Sequence, residues 1–292
     1  MATIIVNQKI SSRYYRMRIL CPLLARRARP GQFVMARVTQ LLDPLLRRPL
    51  SIHRVCHRSG GSRGGVPPSC IEIIYKVVGR GTQILSRTRE GEEMDLLGPL
   101  GNGFSIDPRR SPILLVAGGI GIAPLFSLAQ VISSGSGHHL SKSSFTIFIG
   151  GKTSEDILCV RELRKMGAKV AVSTEDGSTG SKGMVTDLLG SFFKDVLPHE
   201  TRNAQLYSCG PLPMLRVVSE LARLRSIPCQ ISLESRMACG VGACLGCCVL
   251  TTQGNKKDFY QRVCREGPVF DSATMQWNEG GLSQPKSFPL HT

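Results

Sequence analysis

Apolar and polar residues alternate in short runs over the first hundred positions. Tyr14 to Leu20, Phe33 to Val38, Leu50 to Val55 and Ile71 to Val78 are β-rich and closed by turn-forming residues. That spacing predicts a small antiparallel β-barrel over residues 1–107. Arg26–Gly31 and the Gly/Ser/Arg/Pro-rich His57–Ser69 interrupt it as surface loops. At Pro112 the texture changes: strand-like Ile113–Ala117, Phe145–Ile149, Lys169–Ser173 and Gln205–Ser208 alternate with helical Leu125–Ile132, Ile157–Met166, Val185–Leu189 and Met214–Leu224. Repeated β–α units predict a parallel sheet wrapped by helices over 108–228, a frame that binds nucleotides at strand C-terminal ends. Cysteines crowd the chain after Cys229, and 229–274 reads as a third, small unit. The polar stretch 275–292, with Gly and Pro in it, reads as a flexible tail. The expected fold class is α/β plus all-β.

The most specific chemistry lies in Leu233–Leu250, LESRMACGVGACLGCCVL, where Cys239, Cys244 and Cys247 stand at C-x4-C-x2-C and Cys264 follows in RVCREGPVF. That spacing suits a loop wrapped around one side of a [2Fe–2S] rhomb, closed by a distant fourth thiolate. Gly240, Gly242 and Gly246 would let the backbone curl close to the bridging sulfides. Zinc usually shows two C-x2-C-like pairs and here there is one; unligated packing is the other alternative. Cys248, directly after Cys247, is a rival third ligand that the x2 spacing disfavours. Cys21, Cys56, Cys70, Cys159 and Cys229 have no partner at ligand spacing and read as packing residues.

Arg47-Arg48-Pro49-Leu50-Ser51-Ile52 is suited to a flavin: a guanidinium for the diphosphate, a hydroxyl near the isoalloxazine N5 and a rigid proline between them. Ile74-Tyr75-Lys76 ends a strand, and Gly79-Arg80-Gly81-Thr82 then opens a helical turn whose free N–H groups could hold a phosphate. Tyr75 could flank the ring system or the adenosine, or pack in the core. In ILLVAGGIGIAPLFSLA the strand runs into Gly118-Gly119-Ile120-Gly121, and a helix is expected to begin near Pro124. Strand, glycine turn and helix in this order point to a dinucleotide. Glu175-Asp176-Gly177 follows another strand, where carboxylates would accept from a ribose 2′-OH and repel a 2′-phosphate; this favours NAD over NADP. Tyr207-Ser208-Cys209-Gly210-Pro211 would bring Cys209 to the nicotinamide where strand ends converge. Hydride transfer asks for no general acid or base, so Ser51 and Cys209 are expected to position the reacting rings.

Charge and composition change this picture little. A formal charge of +16 would suggest nucleic acid, but aromatics are only 5% and form no stacking platform interleaved among Arg26, Arg27, Arg29, Arg47, Arg48, Arg54, Arg58 and Arg63. The expectation is no nucleic acid and no membrane, since no stretch nears the roughly 20 apolar residues of a span. Eleven cysteines, five of them between Cys239 and Cys264, fit a metal or cluster site better than disulfides. The expected location is the cytoplasm.

Arg48-Pro49-Leu50-Ser51, the GGIGIAP turn, Cys209-Gly210-Pro211 and the cysteine loop together resemble the ferredoxin–NADP reductase superfamily. LESRMACGVGACLGC followed by VCREGPVF is similar, more narrowly, to the electron-transfer subunits of type B dihydroorotate dehydrogenase. The resemblance extends over about Ile4 to Asp271. It implies an FAD-binding barrel, a nicotinamide-binding domain and a small C-terminal [2Fe–2S] domain. It also implies FAD at Arg48, Pro49, Leu50, Ser51, Ile74, Tyr75, Lys76, Gly81 and Thr82. NAD is expected at Gly118, Gly119, Gly121, Pro124, Glu175, Asp176, Cys209, Gly210 and Pro211, and the cluster at Cys239, Cys244, Cys247 and Cys264. The implied partner is an FMN-containing dihydroorotate dehydrogenase catalytic subunit, in a heterotetramer of two plus two, acting in pyrimidine synthesis. The alternatives are an NAD(P)H reductase with the same cofactors serving a hydrogenase, ferredoxin or oxygenase, and, more remotely, a nucleic-acid-binding redox sensor. His57–Ser69, Ser133–Ser144 and the tail depart from the family pattern.

Overall fold

The computed structural model describes residues 2–56, 69–135, 145–253, 256–278 and 281–282. Most of the departing segments His57–Ser69 and Ser133–Ser144, and 279–280 and 283–292 of the tail, lie outside the described residues.

The first sheet comprises β1 (Ala2–Lys9), β2 (Tyr14–Leu20), β3 (Phe33–Arg37), β4 (Arg48–Ser51), β5 (Arg54–Cys56), β6 (Cys70–Lys76) and β7 (Glu93–Leu100) in the order β4-β3-β7-β1-β2-β6-β5. All its pairings are antiparallel. Its two edges are strands consecutive in sequence, so the sheet curls on itself as the expected barrel. The expected single strand Leu50–Val55 is two strands, broken at Ile52 and His53. The break turns the wholly buried His53 ring against Phe126 of the second unit, centroids 4.2 Å apart. Helices α1 (Pro22–Arg27) and α2 (Arg80–Leu85) fill connections of the barrel.

The second sheet has β8 (Ile113–Gly118), β9 (Phe145–Gly151), β10 (Lys169–Thr174) and β11 (Ser181–Lys182), followed by β12 (Gln205–Cys209) and β13 (Cys229–Ser232). The order is β11-β10-β9-β8-β12-β13-β16, parallel except where β16 (Val269–Asp271) returns antiparallel to β13. Helices α3 (Ile122–Ser134), α4 (Val160–Lys165), α5 (Val185–Asp195), α6 (Pro198–Thr201) and α7 (Leu212–Leu224) accompany it. β8 is buried at every position, as expected of a strand covered on both faces. Cys229–Ser232, read from the sequence as the start of the third unit, is the sixth parallel strand of this sheet, and the cysteine segment leaves the sheet at Leu233 and rejoins it at Val269. Between those points β14 (Cys248–Gln253) and β15 (Lys256–Arg262) form a hairpin. No described helix is long and apolar enough to cross a membrane.

The two sheets meet along a polar seam. The Glu72 carboxylate, 1% exposed, faces Arg16, Arg18 and Arg54 of the barrel, and Glu162 of α4 binds Arg16 and Arg54 from the other side. A buried carboxylate is tolerable only when surrounded this way. Burial, reinforced by Arg54 and Arg16, holds His53 neutral, its pKa well below the ordinary histidine value.

Candidate functional site

Two cavities open along the seam. The first, about 430 Å³, is walled on the barrel side by Pro49, Leu50 and Ser51 of β4, by Ile74, Tyr75 and Lys76 of β6 and by Thr82 of α2. Facing them are Cys209, residues 232–235, Met237 and Pro268. Seven of the nine residues expected to hold FAD thus share one wall. Arg48 and Gly81 stand just outside it, in contact with each other: a Cβ on Gly81 would lie 2.5 Å from Arg48 Nε. Tyr75 is mainly a core residue. It stacks on Tyr15 and donates its hydroxyl to Asn7 Oδ1 at 2.9 Å. The turn before α2 is less open than expected, because Thr82 Oγ1 already accepts from the Val78 and Gly79 N–H groups.

The second cavity, about 560 Å³, lies over the C-terminal ends of β8, β9 and β12. Gly118, Gly119, Glu175 and Pro211 line it, as expected of an NAD site. A 3-10 turn, Gly119–Gly121, precedes α3, which starts at Ile122 rather than near Pro124. Gly121 and Pro124 are outside its lining, Gly121 packed against the Cys209 backbone and Pro124 buried in α3, and Gly210 packs on Gly118. Cys209 opens to the first cavity rather than the second, and burial raises its thiol pKa far above the ordinary range. Asp176 accepts from the N–H and hydroxyl of Ser178, so its carboxylate shapes its own turn while Glu175 faces the cavity.

Three residues line both cavities: Lys76, Ile120 and Glu234. Sequence reasoning missed Glu234, whose carboxyl pKa is raised by loss of solvent around it. Lys76 Nζ lies 2.9 Å from Asp156 Oδ1, and Tyr14 donates its hydroxyl to the same oxygen. Burial works against the Asp156 carboxylate, but Lys76, Tyr14 and the Lys152 N–H together bring it down to about 2. A folded-state value below the ordinary 3.8 means the stabilisation is complete above pH 3.8 and is lost as pH falls through about 2. Asp156→Asn is therefore expected to lower stability by about 1 kcal/mol at neutral pH, with the gap closing below about pH 3. Denaturant unfolding at both pH values checks this, and a gap unchanged in acid would contradict it.

The cysteine loop begins at the end of the first cavity's wall, two positions after Met237. Its thiols come in neighbouring pairs, Cys239 with Cys244 and Cys247 with Cys264. Among the described residues no three Cys, His, Asp or Glu side chains gather around one point as a single ion would need. Two pairs of thiols suit the two irons of a [2Fe–2S] rhomb. Cys239 Sγ accepts from the N–H groups of Cys244 and Val241, each at 3.4 Å, and these bring its thiol down to about 6. The Cys264 N–H likewise points at Cys247 Sγ at 3.4 Å. Burial and the neighbouring Cys247 raise the Cys264 thiol, a cost that ligation of the thiolate would remove. Gly240 and Gly242 take positive φ of 73° and 84°; at the third bend Leu245, not Gly246, does so. At Gly240 a Cβ would lie 2.5 Å from Met35 Cγ of β3, so the loop is seated directly on the barrel. Cys248 is buried at the start of β14, and burial raises its thiol.

Comparison with known proteins agrees with this arrangement. Residues 234–276 match the iron-sulfur cluster binding domain of dihydroorotate dehydrogenase B, and residues 115–220 match the oxidoreductase NAD-binding domain. The electron transfer subunit of dihydroorotate dehydrogenase B (NAD(+)) from Desulforamulus reducens is 36% identical over 277 residues, 94% of this chain and 97% of that protein. The chain belongs to that family of electron-transfer subunits. A second member, from Geobacillus thermodenitrificans, is 38% identical over 273 residues, 92% of this chain and 95% of that one. Among solved structures, a chain of an NADH-dependent reduced ferredoxin–NADP oxidoreductase superposes with a TM-score of 0.76 at 28% identity. It covers 95% of this chain and 90% of its own.

Proposed function

We propose that this chain carries electrons from an FMN-containing dihydroorotate dehydrogenase catalytic subunit to NAD+ in pyrimidine (UMP) biosynthesis. Its cofactors are FAD and one [2Fe–2S] cluster, with NAD as co-substrate. Membership of the family over 94% of the chain supports this, and one observation carries it: the cysteine loop continues the wall of the first cavity. The assembly is a heterotetramer of two copies of each subunit, in the cytoplasm, with the division into barrel, nicotinamide and cluster domains adjusted at Leu233.

Each part of the chain has a distinct task. Cys239 and Cys244 hold one side of the cluster, Cys247 and Cys264 the other. Arg48 to Ser51, Ile74 to Lys76, Gly81 and Thr82 seat FAD. Gly118, Gly119 and Glu175 receive the dinucleotide, with Gly121, Pro124, Asp176, Gly210 and Pro211 shaping the turns that frame it. Cys209 closes the flavin cavity where the nicotinamide enters. A flavin exchanges single electrons with a cluster and hydride with a nicotinamide, which explains the need for both groups. The protein therefore positions and excludes water rather than moving protons.

Cofactor analysis tests the set: iron and acid-labile sulfide in equal amounts, each at twice the FAD, is the expected result. Zinc in place of iron would refute the cluster. Ser51→Ala is expected to slow flavin reduction by NADH about ten- to a hundredfold, the loss of one hydrogen bond at the reacting ring, with cluster absorption unchanged. Stopped-flow bleaching of the flavin measures it; loss of the cluster absorption instead would remove Ser51 from this role.

A further inference from the structure

The two cavities share one cation, and it is not free. Lys76 Nζ is paired with Asp156 Oδ1 at 2.9 Å and lies 4.9 Å from the centroid of the Tyr14 ring. Lys76 and Tyr14 belong to the barrel, whereas Asp156 ends a 3-10 turn of the nicotinamide unit. That turn is itself pinned to the barrel: Ser11 Oγ donates to the Glu155 carbonyl, and Ser12 Oγ to the Glu155 carboxylate. The Lys152 N–H holds the second carboxylate oxygen of Asp156 at 3.1 Å. Gly151 leaves room for it, since a Cβ there would lie 2.7 Å from Asp156 Cβ. Four fixed groups thus aim one carboxylate at one ammonium on the boundary between the cavities. The other ionisable group shared by both walls is Glu234.

A charge held at such a place acts on whatever gains or loses electrons beside it. Reduction adds negative charge to a flavin, so a nearby cation favours the reduced form and a nearby carboxylate disfavours it. Lys76 alone would bias the flavin one way and Asp156 alone the other; together they leave a small net field and a fixed geometry. We propose that Asp156, steadied by Tyr14, cancels the charge of Lys76 at the boundary between the flavin and nicotinamide cavities, so that the pair holds the reduction potential of the flavin between the values that either charge alone would impose. The inference rests on the flavin reading of the first cavity. Lys76, Asp156 and Tyr14 are positioning residues in this account.

The two halves of the pair have opposite signs, so the test is one of sign. The FAD midpoint potential is measured by reductive titration of the full cofactor-loaded complex for the wild type, Lys76→Gln, Asp156→Asn and the double variant. Lys76→Gln leaves the carboxylate uncompensated and is expected to move the potential to more negative values. Asp156→Asn leaves the ammonium uncompensated and is expected to move it to more positive values. The double variant should return close to wild type, and Lys76→Arg should stay close to it. General loosening of the seam would move both single variants the same way, and that result, or no shift in either, overturns the proposal. If Lys76→Gln releases the flavin, Asp156→Asn alone decides: a positive shift supports the pair, and a negative shift or none overturns it. Wild-type complex whose FAD is absent from this chain would instead refute the flavin reading itself.

Discussion

Replacing Cys247 with serine is expected to abolish the cluster and lower dihydroorotate-linked NAD+ reduction at least about a hundredfold, while NADH oxidation by a two-electron artificial acceptor persists. Cys247 is buried beside Cys264, and its sulfur already accepts the Cys264 N–H, so it is shaped to receive metal as a thiolate. A serine hydroxyl at that place is a harder and far less acidic donor, and soft iron–sulfide chemistry prefers sulfur. The residues proposed to seat FAD form a different wall, so FAD is expected to remain at full occupancy. Cys248→Ser is the matched control and is expected to change neither cluster nor activity. Visible absorption and electron paramagnetic resonance of the reduced protein read the outcome. A Cys247→Ser protein with an intact cluster, alongside a Cys248→Ser protein without one, would transfer the ligand role to Cys248.

Gly121→Ala is expected to cost about 3 kcal/mol of stability and to weaken NADH binding at least tenfold. The added Cβ would lie 2.1 Å from the Cys209 carbonyl oxygen and 2.5 Å from its carbon, with the Gly210 nitrogen at 2.8 Å. All three are backbone atoms, so no rotamer change relieves the clash, and the turn after β8 must separate from the end of β12. These two strand ends frame the dinucleotide cavity, and Gly118 and Pro211 on its wall would move with them. Denaturant unfolding and NADH titration measure the two effects. A variant within about 0.5 kcal/mol of wild type would show that the strand ends are not packed as described.

Local chemistry was legible in the sequence, and long-range geometry was not. The cysteine loop could be read because ligand spacing is set within a few residues, and the glycine turn because strand, turn and helix follow one another directly. The barrel's own frame was harder. β1 and β7 carry Asn7, Gln8, Glu93 and Asp95 among their apolar residues, and their alternation is too broken to delimit them. β13 was assigned to the cysteine segment because composition changes at Cys229, whereas its place in the sheet is decided by hydrogen bonds to β12 more than twenty residues earlier. The seam was invisible for the same reason. Lys76 and Asp156 are 80 residues apart and Tyr14 and Asp156 are 142, and no pattern along the chain links them. Tyr75 combines both of the roles its position suggested: it lines the first cavity while its ring stacks on Tyr15 and its hydroxyl is satisfied by Asn7.

The central claim concerns where the electrons come from, and that source is on another chain. The most direct measurement is NAD+ reduction on addition of dihydroorotate, using protein purified anaerobically from its own cells with everything that accompanies it. The account predicts NADH formation that stops when the co-purifying FMN protein is stripped away and returns when it is added back. NADH oxidation with an artificial acceptor but no response to dihydroorotate would contradict it, and would assign the same cofactors to a reductase that serves a different partner.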